Sequence, residues 1–458
     1  MGNKTKKFPY SNGSYILLVV LICISTSLLM KFPLIGLSGG RSGITEPYQE
    51  SSLVIISQKK ALSLEYIPRE SISVSNDEEL AAVATYGTGS EIAPFVIEGW
   101  NITTQTGWNT DTGIFIYNTT VHFIIQNCWI GHSPNGWLDW GISLFSVGIY
   151  IYSVAPGTVT IRDNICLNQY NHSICLWNVD SATVVNNLCT NNDDIGIFLE
   201  NCKATTIINN TCSHNLYGIC ISNSNSTVLS NNTCRVNYIG IYLFNSDSVA
   251  FYNNSCTQNI QGISLVNSEN TILFDNTCSQ NFLGFHLFNF GNTILMENTC
   301  THNVEEGIKL YSSKNITLTN NTFAENNGVG VNLIASDECL IIWNMLAENK
   351  GVGVYLSSGC ETNQIHHNIF LNNKNGGTQA CDKGTSNFWF DKSSLKGNEW
   401  SDHTGIGEYL IDGSAGNSDP YPIADFDMDG MPNWWERQIG TNPFTNDAEV
   451  DLDQDNLT

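Results

Sequence analysis

Positive charge is scarce in this sequence of 458 residues. Lysine and arginine together number 19, against 43 aspartate and glutamate residues, which gives a net charge of −24. A chain with this balance has no basic surface to attract a polyanion, so we expect no nucleic acid partner. Charged residues of both signs make up only 14% of the chain, which is too few for a bundle of amphipathic helices.

Asparagine and glycine are abundant instead. The sequence contains 57 Asn, 38 Gly and 17 Tyr, a composition typical of β-strands joined by tight polar turns. Hydrophobic residues reach 41% and aromatic residues 10%, which is enough apolar material for a core and excludes wholesale disorder. The composition therefore predicts an all-β protein.

The first 37 residues predict a signal anchor or signal peptide. Three lysines near the start precede an apolar run from Tyr15 to Met30, which continues after Lys31 to Leu37. Counted through Leu37, the run has about 23 residues, close to the ~20 that a bilayer core requires. We expect the membrane as a partner of this segment, a cell-surface or secreted location for the rest, and a tether with a first strand over residues 38–75.

One pattern recurs from Thr112 to Phe370. It reads Gly-Ile-x-Leu-x-Asn-Ser, four or five further residues, an aliphatic pair and Asn-x-Cys-x-x-Asn. The first asparagine of the second motif returns every 22 to 24 residues, at Asn164, Asn187, Asn210, Asn232, Asn254, Asn276, Asn298, Asn321, Asn344 and Asn368. A short, steady period without helical spacing predicts that each repeat is one coil of a parallel β-helix.

In a β-helix, equivalent residues of successive coils lie above one another. We expect about eleven coils in register at a spacing of ~4.8 Å, with asparagine side chains hydrogen-bonded up the stack. A second asparagine column, from Asn192 to Asn373, predicts two turns per coil. The β-helix and its N-terminal cap are assigned to residues 76–382, where Asn76 should begin a short capping helix, and a C-terminal cap to residues 383–424.

These repeats resemble the right-handed β-helix repeats of NosD-like proteins, which belong to the carbohydrate-binding and sugar-hydrolysis β-helix group. The resemblance extends over roughly residues 72–422 and includes the stretches from Pro94 to Gly99 and from Gly397 to Asp402. It implies a right-handed parallel β-helix of the pectin-lyase type. It implies no single function, because the family includes copper-site maturation proteins, carbohydrate-active enzymes and surface proteins, and related repeats bind substrates in eukaryotic F-box proteins.

The acidic stretch over residues 425–458 carries the strongest local motif. Asp425-x-Asp427-x-Asp429-Gly430, followed by five residues and Glu436, fits a calcium loop at every specified position. We expect calcium to be bound there, and the predicted ligands are Asp425, Asp427, Asp429, the Met431 carbonyl and Glu436, with a second cluster at Asp451, Asp453 and Asp455. The stretch resembles thrombospondin type 3 repeats, and its end suggests a longer parent chain. The alternative is a solvated acidic tail.

The outward positions of the Gly-Ile-x-Leu-x strand are unusually aromatic. Eleven of 22 such positions are Phe, Tyr or Trp, and rings at ladder spacing can stack on the sugars of a polysaccharide or surface glycan. The candidate ligand-binding residues are Tyr117, Tyr152, Trp177, Phe198, Tyr242, Phe244, Phe288 and Tyr311. An insertion from Gly131 to Val147 could wall this groove. Alternatively, a tail, a cap or a second subunit covers the stripe.

Seven cysteines occupy one column of the repeat, at Cys166, Cys189, Cys212, Cys234, Cys256, Cys278 and Cys300. The same column continues as Phe323, Leu346 and Phe370. A position that accepts phenylalanine or leucine belongs to an apolar core, so we interpret these cysteines as small hydrophobic residues and not as metal ligands.

Weak catalytic candidates are His302, Glu325 and Glu348, which fall at equivalent positions of consecutive coils. Neighbours in such a column lie about 5 Å apart, which suits the carboxyl pair of a retaining glycosidase. A solvated corner explains these turn residues more simply, and the sequence favours a protein that is not an enzyme.

The sequence thus predicts an extracytoplasmic, surface-anchored β-helix protein that binds carbohydrate or acts in cell-surface adhesion, with a calcium-stabilised tail. One alternative is a polysaccharide hydrolase, lyase or epimerase. A second alternative is a NosD-like copper-site maturation protein or a β-helix substrate-binding module.

Overall fold

Three long parallel β-sheets form the described part of the chain. This computed structural model describes residues 66–104, 112–132, 146–403 and 406–423. Each sheet takes every third strand along the chain, except that sheet A ends with β37 beside β39. One coil of the backbone therefore contributes one strand to each sheet in turn. The predicted parallel β-helix is confirmed.

The strands are grouped by sheet, and neighbours within a sheet are hydrogen-bonded. Sheet A has 14 strands: β1 (Ile67–Arg69), β4 (Trp100–Thr104), β7 (Trp129–His132), β10 (Ile165–Leu167), β13 (Leu188–Thr190), β16 (Thr211–Ser213), β19 (Thr233–Arg235), β22 (Ser255–Thr257), β25 (Thr277–Ser279), β28 (Thr299–Thr301), β31 (Thr322–Ala324), β34 (Met345–Ala347), β37 (Ile369–Leu371) and β39 (Glu399–Trp400). Sheet B has 13 strands: β2 (Ile72–Val74), β5 (Ile114–Tyr117), β8 (Ile149–Tyr152), β11 (Ile174–Trp177), β14 (Ile195–Glu200), β17 (Tyr217–Ser222), β20 (Ile239–Phe244), β23 (Gln261–Val266), β26 (Leu283–Phe288), β29 (Ile308–Tyr311), β32 (Val331–Ile334), β35 (Val354–Leu356) and β38 (Ala380–Asp382). Sheet C has 12 strands: β3 (Phe95–Glu98), β6 (Phe123–Gln126), β9 (Val159–Arg162), β12 (Thr183–Val185), β15 (Thr206–Ile208), β18 (Val228–Ser230), β21 (Ala250–Tyr252), β24 (Ile272–Phe274), β27 (Gly291–Met296), β30 (Lys314–Thr319), β33 (Leu340–Ile342) and β36 (Gln364–His366).

Successive coils are in register, as the repeat predicts. Ile197 pairs with Ile219, which pairs in turn with Ile241. Because side chains alternate across a strand, these isoleucines point inward, and all three are fully buried in one continuous core. The core therefore lies inside the coils and extends along the whole solenoid.

The first asparagine column forms a buried ladder. The Oδ1 of Asn254 accepts hydrogen bonds from the backbone N–H and the Nδ2 of Asn232, both at 3.0 Å. Its Nδ2 donates to the Leu229 carbonyl at 3.1 Å and to Asn276 Oδ1 at 2.9 Å. Each side-chain amide thus forms hydrogen bonds with the coil before it and with the coil after it. This explains why asparagine occupies the column in coil after coil.

The expectation of two turns per coil is wrong, because three strands per coil require three corners. The third corner follows sheet B and is closed by a shorter stack of hydroxyl groups. Ser224 donates its backbone N–H to Ser246 Oγ at 2.8 Å, and Ser246 does the same to Ser268 Oγ at 2.9 Å. The serine of the Gly-Ile-x-Leu-x-Asn-Ser motif was the sequence signal for this corner.

The cysteine column packs in the core against the glycines that recur at the start of the sheet B strands. Cys234 and Cys256 are partners in adjacent strands and both are fully buried. A Cβ added to Gly240 would lie 2.5 Å from the Gly262 carbonyl oxygen and 3.1 Å from Cys256 Sγ. The glycines and the small thiols therefore fill this space together. The structural interpretation of the cysteines is confirmed, since Phe323, which continues their column, is equally buried.

Both ends of the solenoid are capped. The predicted short helix, α1 (Asp77–Val83), begins after Asn76, whose side chain accepts the Glu79 N–H at 2.9 Å. Leu80 of this helix is fully buried in the core. Before it, β1 and β2 already belong to sheets A and B, so the solenoid begins inside the segment assigned to a tether and a first strand.

At the other end, the asparagine ladder passes from Asn368 to Asn398 and ends on a carboxylate. Asp419 Oδ2 accepts the Asn398 N–H at 2.7 Å and the Trp400 Nε1–H at 2.9 Å. A short antiparallel pair, β40 (Tyr409–Leu410) and β41 (Ser418–Asp419), carries that carboxylate. A 3-10 turn at Asn373–Gly376 lies where the second ladder ends.

Candidate functional site

Sheet B carries the predicted ligand-binding residues on the side that faces away from the core, which we call the outer face of sheet B. Two columns of outward residues run along it. The first outer column is Phe115, Tyr150, Cys175, Phe198, Cys220, Tyr242, Ser264, His286, Lys309, Asn332 and Tyr355. The second outer column includes Tyr117, Tyr152, Trp177, Glu200, Ser222, Phe244, Val266, Phe288, Tyr311 and Ile334.

Aromatic rings on this face stack in groups. Phe288 and Tyr311 come from adjacent coils, with ring centroids 5.3 Å apart and planes inclined by 10°. Phe115 stacks in the same way on Tyr150 of the next coil, at 5.1 Å and 17°. Because the strands hold the rings at ladder spacing, each pair forms a flat apolar platform.

The structure corrects the exposure expected for three of the eight ring candidates. Trp177, Phe198 and Tyr242 are buried, with 7%, 4% and 8% of their surfaces exposed. The His172 ring packs on Phe198 at 5.2 Å, and the Tyr217 ring packs on Tyr242 at 5.5 Å. Residues at the start of the strands therefore cover part of the first outer column, which the alternation of side chains within a strand could not predict.

The other five ring candidates remain accessible. Tyr311 is 39% exposed, and partial exposure is found for Tyr117, Tyr152, Phe244 and Phe288. All five belong to the second outer column. The accessible platform therefore lies along one edge of the face.

Four consecutive polar residues interrupt the aromatic first column. They are Ser264, His286, Lys309 and Asn332, which we call the polar quartet. His286 Nδ1 lies 3.4 Å from Ser264 Oγ. Glu306, just before β29, accepts a hydrogen bond from Asn332 Nδ2 at 2.8 Å, and the same Oε1 lies 3.9 Å from Lys309 Nζ. The quartet lies directly beside the Phe288 and Tyr311 platform.

The polar quartet was not identified from the sequence as a site. Its signal is the run of four polar residues in a column that elsewhere holds Phe, Tyr and Cys. Glu306 gave no such signal, because it lies outside both outward columns and only the fold brings it to Asn332.

Burial shifts the titration of two groups on this face. Desolvation lowers the pKa of His286 to about 4, and the neighbouring Lys309 acts in the same direction. Burial raises the pKa of Glu200, although Asn223 donates a hydrogen bond to its Oε1 at 2.8 Å. His286 is therefore neutral at pH 7, and the Lys309 charge is opposed by the nearby Glu306 carboxylate.

The three catalytic candidates lie elsewhere, at the corner between sheets A and B. His302, Glu325 and Glu348 all adopt left-handed backbone conformations, with φ between 52° and 57°. His302 Nε2 lies 2.9 Å from Glu325 Oε2, and both side chains are about half exposed, at 54% and 52%. Half-exposed side chains at a turn match the alternative of a solvated corner.

Two family models match this chain. The right-handed β-helix region model matches residues 196–344 and 283–418, and the model of the periplasmic copper-binding protein NosD matches residues 70–261. The chain belongs to the NosD-like right-handed β-helix family. No curated protein matches it.

Several solved structures resemble this NosD-like protein in fold. The A-module of mannuronan C-5 epimerase AlgE4 from Azotobacter vinelandii is 14% identical, with a TM-score of 0.45, and the match covers 77% of this chain and 94% of that one. The periplasmic alginate epimerase AlgG is 14% identical, with a TM-score of 0.40, and the match covers 73% and 87%. Tailspike protein 3 of bacteriophage CBA120 is 11% identical, with a TM-score of 0.49, and the match covers 84% and 63%.

The copper site that the NosD name implies does not fit the described residues. Among them, no group of three or more His, Cys, Asp or Glu side chains converges as a metal site would require. Burial raises the pKa of Cys212 and Cys256 well above the usual thiol value. For Cys234 between them burial acts in the same direction, but hydrogen bonds with both neighbouring thiols lower its pKa to about 5. The predicted calcium ligands from Asp425 to Asp455 lie outside the described residues.

The predicted anchor of the NosD-like chain also lies outside the described residues, as do residues 133–145 of the insertion. Within the described residues, none of the helices has the length and hydrophobicity of a membrane-spanning segment.

Proposed function

We propose that this protein binds a polysaccharide along the outer face of sheet B, outside the cytoplasm. The observation that carries the proposal is the Phe288 and Tyr311 platform, two nearly parallel rings 5.3 Å apart beside the polar quartet. Flat rings offer the apolar faces of sugars a stacking surface, while neighbouring polar groups bond their hydroxyls. A site of this composition suits a sugar chain better than a purely apolar ligand.

The extracytoplasmic location rests on two supports. The matching family model describes a periplasmic protein, and the N-terminal sequence has the form of a signal or anchor. Attachment to the membrane through residues 1–37 and a role in cell-surface adhesion are part of the same proposal. So is calcium binding by the loop from Asp425 to Glu436, for which calorimetric titration of the full chain with and without Asp427→Asn plus Asp429→Asn is the test.

Removal of the ring platform tests the binding site. We expect Phe288→Ala plus Tyr311→Ala to weaken polysaccharide binding about ten- to hundredfold, because each ring contributes roughly 1 kcal/mol. A matched control is Tyr252→Ala on sheet C, since Tyr252 and Tyr311 are almost equally exposed, at 38% and 39%. Affinity electrophoresis against a polysaccharide panel measures the loss. Equal binding by the double variant and the control would refute this site.

A polysaccharide-modifying enzyme, namely a hydrolase, lyase or epimerase, is the second candidate function. It is favoured by the polar quartet, which places the uncharged His286 imidazole and the Lys309 ammonium in one column beside Glu306. A neutral imidazole can accept a proton and an ammonium can stabilise developing negative charge. These groups adjoin the ring platform on which a sugar would lie.

An activity screen separates the two candidates. If the protein is an enzyme, we expect His286→Asn and Lys309→Met to abolish turnover of the polysaccharide that it binds. Glu325→Gln and Glu348→Gln serve as controls and should leave turnover unchanged, because these carboxylates lie off the face at a solvated corner. If the protein turns over none of the polysaccharides that it binds, the enzyme candidate is excluded and binding is the function.

A further inference from the structure

Two adjacent histidines form a close contact beside the C-terminal cap. His366 ends β36, and His367 forms the corner that follows. Their Nδ1 atoms lie 2.7 Å apart, which is a hydrogen-bond distance between two ring nitrogens. One nitrogen must donate a proton and the other must accept it with a free lone pair, so at least one of the two imidazoles must be neutral. The contact therefore tolerates one positive charge but not two.

The pair lies between a regular coil and the cap. On one side, the Trp343 ring packs on the His367 ring, with centroids 4.4 Å apart. On the other side, the His367 N–H donates to the Gly397 carbonyl at 2.6 Å, and the Gly397 N–H donates to the Tyr421 carbonyl at 2.7 Å. The backbone of the histidine corner thus holds Gly397 in place, and Gly397 holds the end of the cap.

The charged groups around the pair would offset a second positive charge only weakly. The preceding coil contributes the uncharged Trp343 ring, and the cap contributes Asp391 and Lys396. The two carboxylate oxygens of Asp391 accept hydrogen bonds from the Ser393 and Ser394 hydroxyls, at 2.8 and 2.6 Å. Among the described residues, no salt bridge joins Asp391 to either imidazole.

The electrostatics of the two rings agree with the geometry of their contact. Burial lowers the pKa of His366 to about 4, and the neighbouring His367 acts in the same direction. Burial also lowers the pKa of His367. A histidine in an open segment titrates near 6.5, so an open cap binds protons that the closed cap does not. Stability of the closed cap is therefore fully present above pH 6.5 and declines as the pH falls toward 4. Asp419 acts in the opposite sense, because burial raises the pKa of its carboxyl.

We propose that the His366 and His367 pair is a pH-sensitive contact that keeps the C-terminal cap closed near neutral pH and opens it in acid. A second proton removes the accepting lone pair and places two positive charges in contact. The coils remain folded, because the asparagine ladder that joins them does not titrate. Opening exposes Trp389 and Trp400, which are buried at the end of the core with 0% and 3% of their surfaces exposed.

Hydrogen exchange of the full chain, followed by mass spectrometry at pH 7.5 and pH 4.5, tests the proposal. The readout is the protection factor, which removes the intrinsic effect of pH on exchange. We expect peptides from residues 388–423 to lose protection about tenfold or more at pH 4.5, because the open cap takes up protons. Peptides from β14 to β29 should keep their protection.

His367→Asn removes the titrating pair and keeps the corner. Equivalent corners of earlier coils carry Asn253 and Asn320 in the same left-handed conformation, with φ of 50° and 54° against 58° for His367. We expect this variant to retain the protection of its cap at pH 4.5 to within about threefold. His302→Asn is the matched control, since His302 has a φ of 57° at another corner and is 54% exposed. Its cap should open in acid as in the wild type.

Two exchange results would overturn the proposal. They are equal cap protection at both pH values in the wild type, and equal loss of protection in the wild type and His367→Asn. Titration of the histidine rings of the wild type by nuclear magnetic resonance gives a readout that does not depend on the folding of a variant. We expect one ring of the pair to titrate below pH 5, and titration of both rings near 6.5 would refute the contact.

Discussion

The interior of the coils and the outer face of sheet B are built from the same repeat but follow opposite rules. Inside, one residue type returns in coil after coil, as in the asparagine ladder from Asn164 to Asn398. Outside, the first outer column changes from Tyr242 to Ser264 and then to His286 within three coils. Constancy in the interior therefore specifies the fold, whereas variation on the outer face is available for function.

The largest loss of stability is expected from a substitution in the buried asparagine ladder. Asn254→Ala removes the acceptor for two groups of Asn232 and the donor to Leu229. Because buried groups lose their partners, we expect a loss of about 3 to 5 kcal/mol in the free energy of unfolding. Urea denaturation followed by circular dichroism measures it.

The adjacent exposed asparagine provides the control for the ladder. Asn253 has a left-handed backbone with φ of 50°, which glycine adopts without strain. Asn253→Gly should change the stability by no more than about 0.5 kcal/mol. Equal losses for the two variants would contradict the structural role of the buried column.

The next largest effect concerns the end of the ladder. Asp419→Asn would turn an amide toward the Asn398 and Trp400 donors that now share Oδ2. The Asn398 N–H or the Trp400 Nε1–H would then lose its acceptor or face the new amide N–H. We therefore expect a loss of about 2 to 4 kcal/mol in the free energy of unfolding. Thermal unfolding measures the loss, with Asp402→Asn in the exposed part of the cap as the control. An unchanged melting temperature would show that the ladder does not need this carboxylate.

A smaller effect distinguishes the two kinds of ring on the outer face. Tyr242 is buried and covered by Tyr217, so Tyr242→Ala should lower the stability by about 2 kcal/mol and should not weaken binding directly. Phe244 is only partly buried, and Phe244→Ala should weaken binding with little loss of stability. Melting temperature and affinity measured on the same samples test this difference. Equal melting temperatures for the two variants would show that burial does not separate the two rings.

The smallest effect expected is a change in pH dependence. The pKa of His286 is lowered to about 4, whereas a histidine in the unfolded chain titrates near 6.5. The unfolded state therefore takes up a proton first, so stability is fully present above pH 6.5 and declines as the pH falls from 6.5 to 4. His286→Asn should flatten the pH dependence of unfolding over this window relative to the wild type. If the variant and the wild type show the same pH dependence of unfolding, the pKa of His286 is not lowered by burial.

Much of the fold could be predicted because it depends on periodicity. A spacing of 22 to 24 residues fixes which residues are vertical neighbours, and thus the ladder, the cysteine column and the inward aliphatic pairs. The third corner was missed because its serines, such as Ser246, form a shorter column within a motif that already marked a strand.

The candidate site was less predictable, because it depends on contacts between elements. Alternation within a strand shows that Phe198 points outward, but only the packed structure shows that the His172 ring covers it. In the same way, the contact of Glu306 with Asn332 follows from coil geometry that no local pattern records.

A crystal structure of the protein with a bound oligosaccharide tests the central claim most directly. The account predicts density for the sugar chain along the outer face of sheet B, stacked on Phe288 and Tyr311 beside the polar quartet. Density for the sugar on sheet C or at a corner, with the outer face of sheet B bare, would contradict it.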